Sequence, residues 1–209
     1  MLFCKRIKGK VMQIEDNQYY YQQVFQGVSL SAATITHVEF ECCQFIECDF
    51  SASTFRHCKF AQCQFQQVNL SLAKLPFSAF YEVSFTDSKL TGIDWTQADW
   101  PSLHNDPMLR FNQCLLTDSS FYGLVIQGSQ FIDCKLKNVD FTDTDLTASS
   151  LQNSDLQYAQ FMRTNLKQCN FTDAMNYHID LHQNTITQAT FSRFEALSLL
   201  EALSIELVD

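Results

Sequence analysis

Large apolar residues recur at every fifth position along most of this chain. From Tyr20 to Trp100, all seventeen positions of this series are aromatic, leucine or isoleucine. The series then shifts by one residue, resumes at Phe111 and continues to Phe191, with Asn176 as its one polar member. Sixteen of the nineteen phenylalanines fall in this series. A period of five matches neither a helix nor a strand, so the pattern predicts a repeat array.

Small residues form a second series, two positions before each large one. Two inward positions in every five, one large and one small, suit the interior of a narrow square tube. Each pentapeptide then forms one side and turns a corner, so four of them close a coil of twenty residues. The other three positions are mostly polar and are expected to face water. The small series runs Val38, Cys43, Cys48, Ser53, Cys58, Cys63, Val68, Ala73, Ser78, and then Cys114, Ser119, Ser129, Cys134, Val139, Thr144, Ser149, Ser154, Ala159.

This spacing predicts an all-β, four-sided β-helix over residues 20–191, with a frame break at 101–110. Thirty-four pentapeptides, at four per coil, give about eight coils. With neighbouring strands ~4.8 Å apart, the rod is roughly 40 Å long. An open terminal coil exposes strand edges and apolar rings, so residues 1–19 are predicted to form an N-terminal cap. The basic residues of that segment are Lys5, Arg6, Lys8 and Lys10.

A helical pattern replaces the five-residue period after Phe191. Residues 192–209 are predicted to form a dimerisation helix and tail, with a short α-helix that has Ser192 as N-cap and Glu195 completing a capping box. The apolar stripe is wider than a monomer needs at the end of a rod, so burial between two copies in a twofold dimer is expected. The predicted dimer residues are Phe194, Leu197, Leu200 and Leu203.

The segment WPSLHNDPMLRF, from Trp100 to Phe111, is the one break in the repeat frame. Two prolines bracket turn-forming residues that include His104, Asn105 and Asp106. Two interpretations remain open. The segment is either a surface bulge left by an insertion or a projecting loop that contacts a partner.

The charge of the chain is strongly acidic, with a formal net value of −9, and residues 101–209 alone contribute −7. An acidic surface repels the phosphates of DNA, so direct nucleic-acid binding is not expected. The same charge suits a partner with a basic groove. Asp140 and Asp180 are two coils apart and should share a face, although outward carboxylates can also serve solubility alone. The candidate partner-binding acidic face comprises Asp140, Asp143, Asp145, Asp155 and Asp180.

Nine cysteines and one histidine-containing string are the features that suggest metal or redox chemistry. Seven cysteines lie in the small series, which also includes Cys169 two residues before Phe171, and there a thiol acts as a small buried apolar group. Cys4 and Cys42 lie outside it and are the more reactive candidates. In the repeat frame, His178 and His182 of the H-x-D-x-H string fall on successive sides, so no metal site is expected. No catalytic or nucleotide-binding motif is present, so we expect neither an enzyme nor a cofactor.

The N-terminal sequence MLFCKRIKGKVMQ has basic residues but no apolar segment after them, so no signal peptide is expected. No run of eighteen apolar residues occurs, so no membrane-spanning helix is expected. Together with nine cysteines, these features indicate a reducing cytoplasm.

The five-residue pattern resembles that of the pentapeptide-repeat family, whose loose consensus is A(D/N)LXX. The resemblance implies a right-handed quadrilateral β-helix, and the handedness comes from the family rather than from the spacing. Within the family, the chain is similar to the topoisomerase-protecting branch of Qnr-type quinolone-resistance, microcin-immunity and albicidin-resistance proteins. The likeness is greatest to the albicidin-resistance type and rests on GIDWTQADWPS (Gly92–Ser102), SSFYGL (Ser119–Leu124), DAMNYHIDLHQN (Asp173–Asn184) and EALSLLEALSIELVD (Glu195–Asp209).

The resemblance to this branch implies a function. The expected molecule is a cytoplasmic bacterial homodimer that mimics DNA and binds DNA gyrase or topoisomerase IV. It would protect that enzyme from a topoisomerase poison and so confer antibiotic resistance or self-immunity. The alternative class is a structural protein–protein interaction module with an unrelated cytosolic partner.

Overall fold

A computed structural model of the chain describes residues 13–100, 108–203 and 205. Its regular elements are β-strands of two or three residues and two 3₁₀-helices, η1 (Trp95–Gln97) and η2 (Glu195–Leu203). The strands are β1 (Tyr19–Tyr21), β2 (Val24–Gln26), β3 (Thr34–Thr36), β4 (Glu39–Glu41), β5 (Gln44–Ile46), β6 (Thr54–Arg56), β7 (Lys59–Ala61), β8 (Gln64–Gln66), β9 (Ala79–Tyr81), β10 (Ser84–Thr86), β11 (Arg110–Asn112), β12 (Gln130–Ile132), β13 (Asn170–Phe171) and β14 (Thr190–Phe191).

Parallel pairing between successive coils builds the rod. Phe25 is aligned with Phe45, one coil of twenty residues later. Phe85 is aligned with Phe111, so the interruption adds six residues to one coil and leaves the register of the large positions intact. The result is a β-helix of about eight coils, which confirms the predicted all-β fold class.

The rod has four sides, numbered 1 to 4 in chain order. Because each pentapeptide turns the chain by one corner, side 1 faces away from side 3, and side 2 faces away from side 4. Side 1 contains β1, β4, β7 and β9 and then bridged residues from Asp99 to Thr185. Side 2 contains β2, β5, β8, β10, β11, β12, β13 and β14. Side 3 consists of single bridges from Ser29 to Met175, and side 4 contains β3 and β6 and then bridged residues from Lys74 to Gln160.

Most corners are made by a residue in the left-handed backbone region. The corner position is the second residue after the large one, and its φ is 53° at Glu47 and 58° at Asp143. A left-handed conformation costs a non-glycine residue roughly 1–2 kcal/mol. A backbone hydrogen bond to the next coil offsets this cost, as when Glu47 N donates to Gln66 O at 2.9 Å.

Stacked aromatic rings fill the interior along side 2. The centroids of Phe25, Phe45, Phe65, Phe85 and Phe111 are separated by 4.5 to 5.2 Å, with nearly parallel planes. All five side chains are buried. The period of five therefore produces one continuous apolar core, in which each coil packs on the coils above and below it.

Buried hydroxyl groups in the small series join neighbouring coils. Ser78 Oγ donates to Phe55 O at 3.0 Å and accepts from Cys58 N at 2.9 Å. Ser154 Oγ bonds in the same way to Phe131 O and Cys134 N, both at 2.9 Å. These serines satisfy backbone groups that the sheet ladder leaves unpaired in the interior.

The last coils depart from the regular pattern at Asn176. Its side chain is exposed, its φ is 61°, and its Nδ2 donates to Asp155 Oδ1 at 2.8 Å. The next residue, Tyr177, is buried and packs its ring against Phe171 and Phe191. A one-residue slip therefore keeps a large ring inside and explains the single polar member of the large series.

The C-terminal segment corrects one prediction. Residues Glu195–Leu203 form a 3₁₀-helix, and the predicted α-helix is wrong. Ser192 does not serve as the N-cap, because its Oγ accepts from Asp173 N at 2.8 Å and donates to Asp173 Oδ1 at 3.0 Å. This pair of bonds ties the start of the segment to the rod.

The predicted N-terminal cap is described only from residue 13 onward. Ile14 packs against the core, and Tyr20 Oη accepts from Glu15 N at 3.0 Å. Asp16 Oδ1 accepts from Thr36 N at 2.7 Å, which attaches this segment to side 4. Within the described ranges, no helix has the length and apolar character needed to cross a bilayer.

Candidate partner-binding surface

The five carboxylates predicted to form one acidic face lie on three different sides. Asp140 is on side 4, Asp145 is on side 1, and Asp143 is at the corner between these two adjoining sides. Asp155 is on side 3 and faces away from Asp145. Asp180 follows Tyr177, beyond Gln160, where the regular bridges of side 4 end. The expectation of a single face is therefore wrong for Asp155, because five-residue steps rotate the chain by one side each.

Most of these aspartates occupy the leading position, which is the residue directly before the large one. At this position a carboxylate oxygen accepts a hydrogen bond from the backbone N–H two residues later. Asp140 Oδ1, for example, accepts from Thr142 N at 2.9 Å. Asn69 and Asn170 make the same bond in other coils, to Ser71 at 3.1 Å and Thr172 at 2.9 Å. The local fold requires the acceptor oxygen but not the negative charge. The charge of the leading aspartates is thus free to serve a partner.

Two of the predicted acids have neighbours that hold them ionised. Arg163 binds Asp143 through two hydrogen bonds, at 2.6 and 2.7 Å, and this holds the pKa of Asp143 below its usual value. Desolvation acts to raise the pKa of Asp145, but hydrogen bonds from Thr147 and Gln127 outweigh it, and the net pKa is lowered. Both groups are charged at neutral pH, although Arg163 neutralises the corner formed by Asp143.

A more regular row of acids lies at the corner between sides 2 and 3. It holds Glu47, Asp87, Asp133 and Asp173, and an amide residue occupies the coil between each pair. All four side chains are exposed. Two coils separate successive acids, which corresponds to roughly 10 Å. The forty-residue spacing in the sequence already places Asp133 and Asp173 on one face, whereas the full row of four acids becomes visible only when the forty-six residues between Asp87 and Asp133 are counted as two coils.

The second partner-binding prediction concerned the loop residues His104, Asn105 and Asp106, which lie outside the described residues. The chain on either side is well anchored. Before the loop, Trp100 Nε1 donates to Trp95 O at 2.8 Å. After it, Met108 is exposed and Leu109 is buried beneath side 2. The choice between a bulge and a contact loop therefore stays open.

The predicted dimer residues form an apolar surface at the C-terminal end. Phe194 is 83% exposed, and Leu197 and Leu203 are 51% and 41% exposed, whereas Leu200 is half-buried. Leu199 and Ala196 pack against the end of the core and hold η2 on the rod. Among the described residues, three of the four predicted side chains, those of Phe194, Leu197 and Leu203, are thus exposed rather than part of the monomer core, and the burial of this surface between two copies stays a prediction.

A model of the pentapeptide repeat region matches residues 33–121, 106–181 and 125–199 of the sequence. These overlapping matches cover most of the rod. The chain belongs to the pentapeptide-repeat family. Pentapeptide-repeat proteins have structural and protein-interaction roles.

Solved structures of other proteins resemble this rod. A trypsin-treated variant of QnrB1, a plasmid-mediated fluoroquinolone resistance protein, has a TM-score of 0.59 and 16% identity, covering 91% of this chain and 100% of that one. A second trypsin-treated QnrB1 variant has a TM-score of 0.58 and 16% identity, covering 95% and 96%. At this identity the likeness shows the fold alone. No curated protein matches the chain in sequence.

The cysteines of this pentapeptide-repeat chain line its interior. All eight described cysteines are free, and seven are buried, as the small series predicts. Their thiols donate to backbone oxygens of the preceding coil, for example Cys48 Sγ to Phe25 O at 3.3 Å. Desolvation raises the pKa of Cys58 to about 11 and that of Cys169 to about 12, so both are protonated thiols at neutral pH. Cys42, by contrast, is half-buried at a corner and bonds Gln62 Oε1 at 3.3 Å.

The string His178, Asp180 and His182 lies on the irregular last coil. Asp180 Oδ1 accepts from His182 N at 2.8 Å, and this bond, followed by others, lowers the pKa of Asp180. The carboxylate therefore shapes a turn. Within the part of the chain that the structure describes, no three His, Cys, Asp or Glu side chains are arranged to hold a metal ion.

Proposed function

We propose that this chain is a DNA-mimicking protein that binds DNA gyrase, or topoisomerase IV, and protects it from a topoisomerase poison. The observation that carries the proposal is the outer surface. Carboxylates recur at regular coil positions on a rigid rod, and at the leading positions the fold does not need their charge. The fold of QnrB1, described as a fluoroquinolone resistance protein, is consistent with such a role.

The charge density of the rod can be compared with that of DNA. A net charge of −9, spread over roughly 40 Å, gives about one negative charge per 4 Å. Duplex DNA carries one per ~1.7 Å of axis. The rod is thus less than half as highly charged as DNA. Its mimicry would rest on the sign of the charge and on the elongated shape, supported by contacts that DNA does not make.

A homodimer forms part of this proposal. The exposed apolar side chains of Phe194, Leu197 and Leu203 lie at one end of the rod. Their burial against the same surface of a second copy would give a twofold particle about twice as long. Doubling the length would lengthen the acidic surface without changing its density. We place this dimer in the bacterial cytoplasm, where gyrase acts.

A supercoiling assay tests the proposal. Purified gyrase, relaxed plasmid and a poison such as albicidin or a quinolone are combined with increasing amounts of the protein. We expect supercoiling to recover and poison-induced DNA cleavage to fall. If neither poison class is countered and gyrase is not bound, the chain is instead an interaction module for another cytosolic protein.

A further inference from the structure

Two pairs of buried cysteines lie in neighbouring coils of the rod. The first pair is Cys43 and Cys63, and the second pair is Cys114 and Cys134. The members of each pair are twenty residues apart, which is one full coil, and they occupy the same position of the small series. All four side chains are buried. Their thiols are thus paired nucleophilic groups that lie away from the partner-binding surface.

The backbone register places the two members of each pair side by side. The residues that flank Cys43 are aligned with those that flank Cys63, and Gln64 N donates to Cys43 O at 2.9 Å. In the second pair, Lys135 N donates to Cys114 O at the same distance. Strands in register hold aligned Cα atoms about 4.8 Å apart. A disulfide joins Cα atoms that are about 4.4–6.8 Å apart, so the backbone spacing suits a cross-link.

The thiols of the first pair both point toward the preceding coil. Cys63 Sγ donates to Phe40 O at 3.4 Å, and Cys43 Sγ donates to Tyr20 O at 3.3 Å. Because the two sulfurs point the same way, one side chain has to change its χ1 rotamer before the sulfurs can bond.

Pairing distinguishes these cysteines from the other buried ones. Cys48 lies between Val28 and Val68 in the small series, and Cys58 and Cys169 likewise have other residue types at the same position of the neighbouring coils. A disulfide between neighbouring coils is therefore open to the two pairs and not to these three thiols.

Each pair combines a more acidic thiol with a less acidic one. Interaction with the Cys63 thiol outweighs burial and lowers the pKa of Cys43. The same interaction, followed by burial, raises the pKa of Cys63. In the second pair, the pKa of Cys114 is lowered and that of Cys134 is raised in the same way. Because the thiolate is the nucleophilic form, one member of each pair is the attacking sulfur and the other keeps its proton.

We propose that the two pairs are oxidation sites, at which hydrogen peroxide converts neighbouring thiols to disulfides that join one coil to the next. The Cys43 thiolate attacks a peroxide oxygen, so that an S–O bond forms and the O–O bond breaks. The product is a sulfenic acid, and the departing hydroxide becomes water with the proton that the thiol released. Cys63 Sγ then attacks the sulfenic sulfur, the S–O bond breaks, and the hydroxide leaves as a second water with the Cys63 proton. Two thiols and one peroxide give one disulfide and two waters, and the second pair reacts in the same way.

The paired thiols lie just beneath the surface of the rod. Cys63 directly follows the exposed corner residue Gln62, and Cys134 directly follows the exposed corner residue Asp133. Local opening of one corner is therefore enough to admit a small oxidant. Each disulfide closes a loop of twenty residues in the unfolded chain. It should therefore make the oxidised rod more resistant to urea.

Two double variants with matched replacements test the proposal. The pair variant is Cys63→Val with Cys134→Ser, and the control variant is Cys48→Val with Cys58→Ser. Each replacement is the residue type found at the same position one coil later, so both rods should fold, which thermal melting of the reduced proteins checks. Those residues are Val83, Ser154, Val68 and Ser78.

The reduced full-length proteins are treated with hydrogen peroxide in native buffer, and mass spectrometry then gives the intact mass and the linked peptides. The wild type and the control variant should lose two hydrogen atoms for each of two disulfides, which link Cys43 to Cys63 and Cys114 to Cys134. Their urea midpoints should rise on oxidation, whereas the pair variant should form neither disulfide and keep its midpoint. A wild type that keeps both pairs as free thiols, or whose disulfides map to Cys42 instead, would overturn the proposal.

Discussion

The buried serines allow a sharp test of how the coils are joined. In Ser154→Ala, the backbone N–H of Cys134 and the carbonyl of Phe131 both lose a bond of 2.9 Å in a fully buried setting. A buried donor left without an acceptor costs about 1–3 kcal/mol. With an m value of about 2 kcal/mol/M, the urea midpoint should fall by roughly 0.5–1.5 M.

Ser129→Ala is the matched control. Ser129 is equally buried in the small series, yet its Oγ has no hydrogen-bond partner. Removing this hydroxyl should leave the midpoint unchanged or raise it slightly, because an unsatisfied buried polar group is eliminated. Both variants are compared by urea denaturation followed by circular dichroism. An equal decrease of the urea midpoint in the two variants would refute the argument. It would show that the loss of hydroxyl volume, and not the loss of hydrogen bonds between coils, determines the decrease in stability.

Three further predictions concern assembly, the thiols and the ion pair. Light scattering of the wild-type protein should report about twice the chain mass of 24.1 kDa. The double variant Leu197→Asp with Leu200→Asp should give a monomer. A monomeric wild type at micromolar concentration would contradict the dimer. Cys63→Ala should cost about 1 kcal/mol and leave gyrase binding intact, whereas loss of fold after chelator treatment would show that the thiols hold a metal. Because the pKa of Asp143 is lowered when folded, its pairing with Arg163 stabilises the rod above the unfolded pKa, and this stabilisation is lost as pH falls through the folded value. Arg163→Gln should therefore lower the melting temperature slightly at neutral pH and leave it unchanged at low pH, which flattens the acid limb of the melting temperature plotted against pH.

The rod was predictable from sequence because its core repeats without exception over long stretches. The large series from Tyr20 to Trp100 places every ring inside except those of its two end members, which are half-buried, and the small series places the buried thiols and hydroxyls beside them. The register across the frame break also followed from the resumption at Phe111. Periodicity carries this information because each coil can bury its apolar residues only against the next.

The departures arise where local chemistry competes with the period. At Asn176, placing an amide inside would leave it without partners, so the chain slips and buries Tyr177 instead. At the C-terminus, the apolar spacing of three suited a 3₁₀-helix as well as an α-helix, and the bonding of Ser192 to Asp173 removed the expected cap. Neither competition is visible in the pattern of apolar positions alone.

The distribution of charge around the rod was harder to predict than the core. Asp140 and Asp155 are close in sequence, yet three five-residue steps place them on different sides. The corner row of Glu47 and Asp173, with two acids between them, spans the frame break and becomes regular only when the six added residues are counted. The residues that share a surface in such a rod are therefore identified by their coil and side, and not by their proximity along the chain.

Competition between this protein and DNA for gyrase is the most direct test of the central claim. Labelled protein is titrated with purified gyrase at low salt, in the presence of increasing concentrations of linear duplex DNA. A DNA mimic occupies the DNA-binding surface, so its apparent Kd should rise in proportion to the DNA concentration, and its affinity should fall as salt rises. An apparent Kd that is independent of DNA, with a stable complex of gyrase, DNA and this protein, would contradict the account.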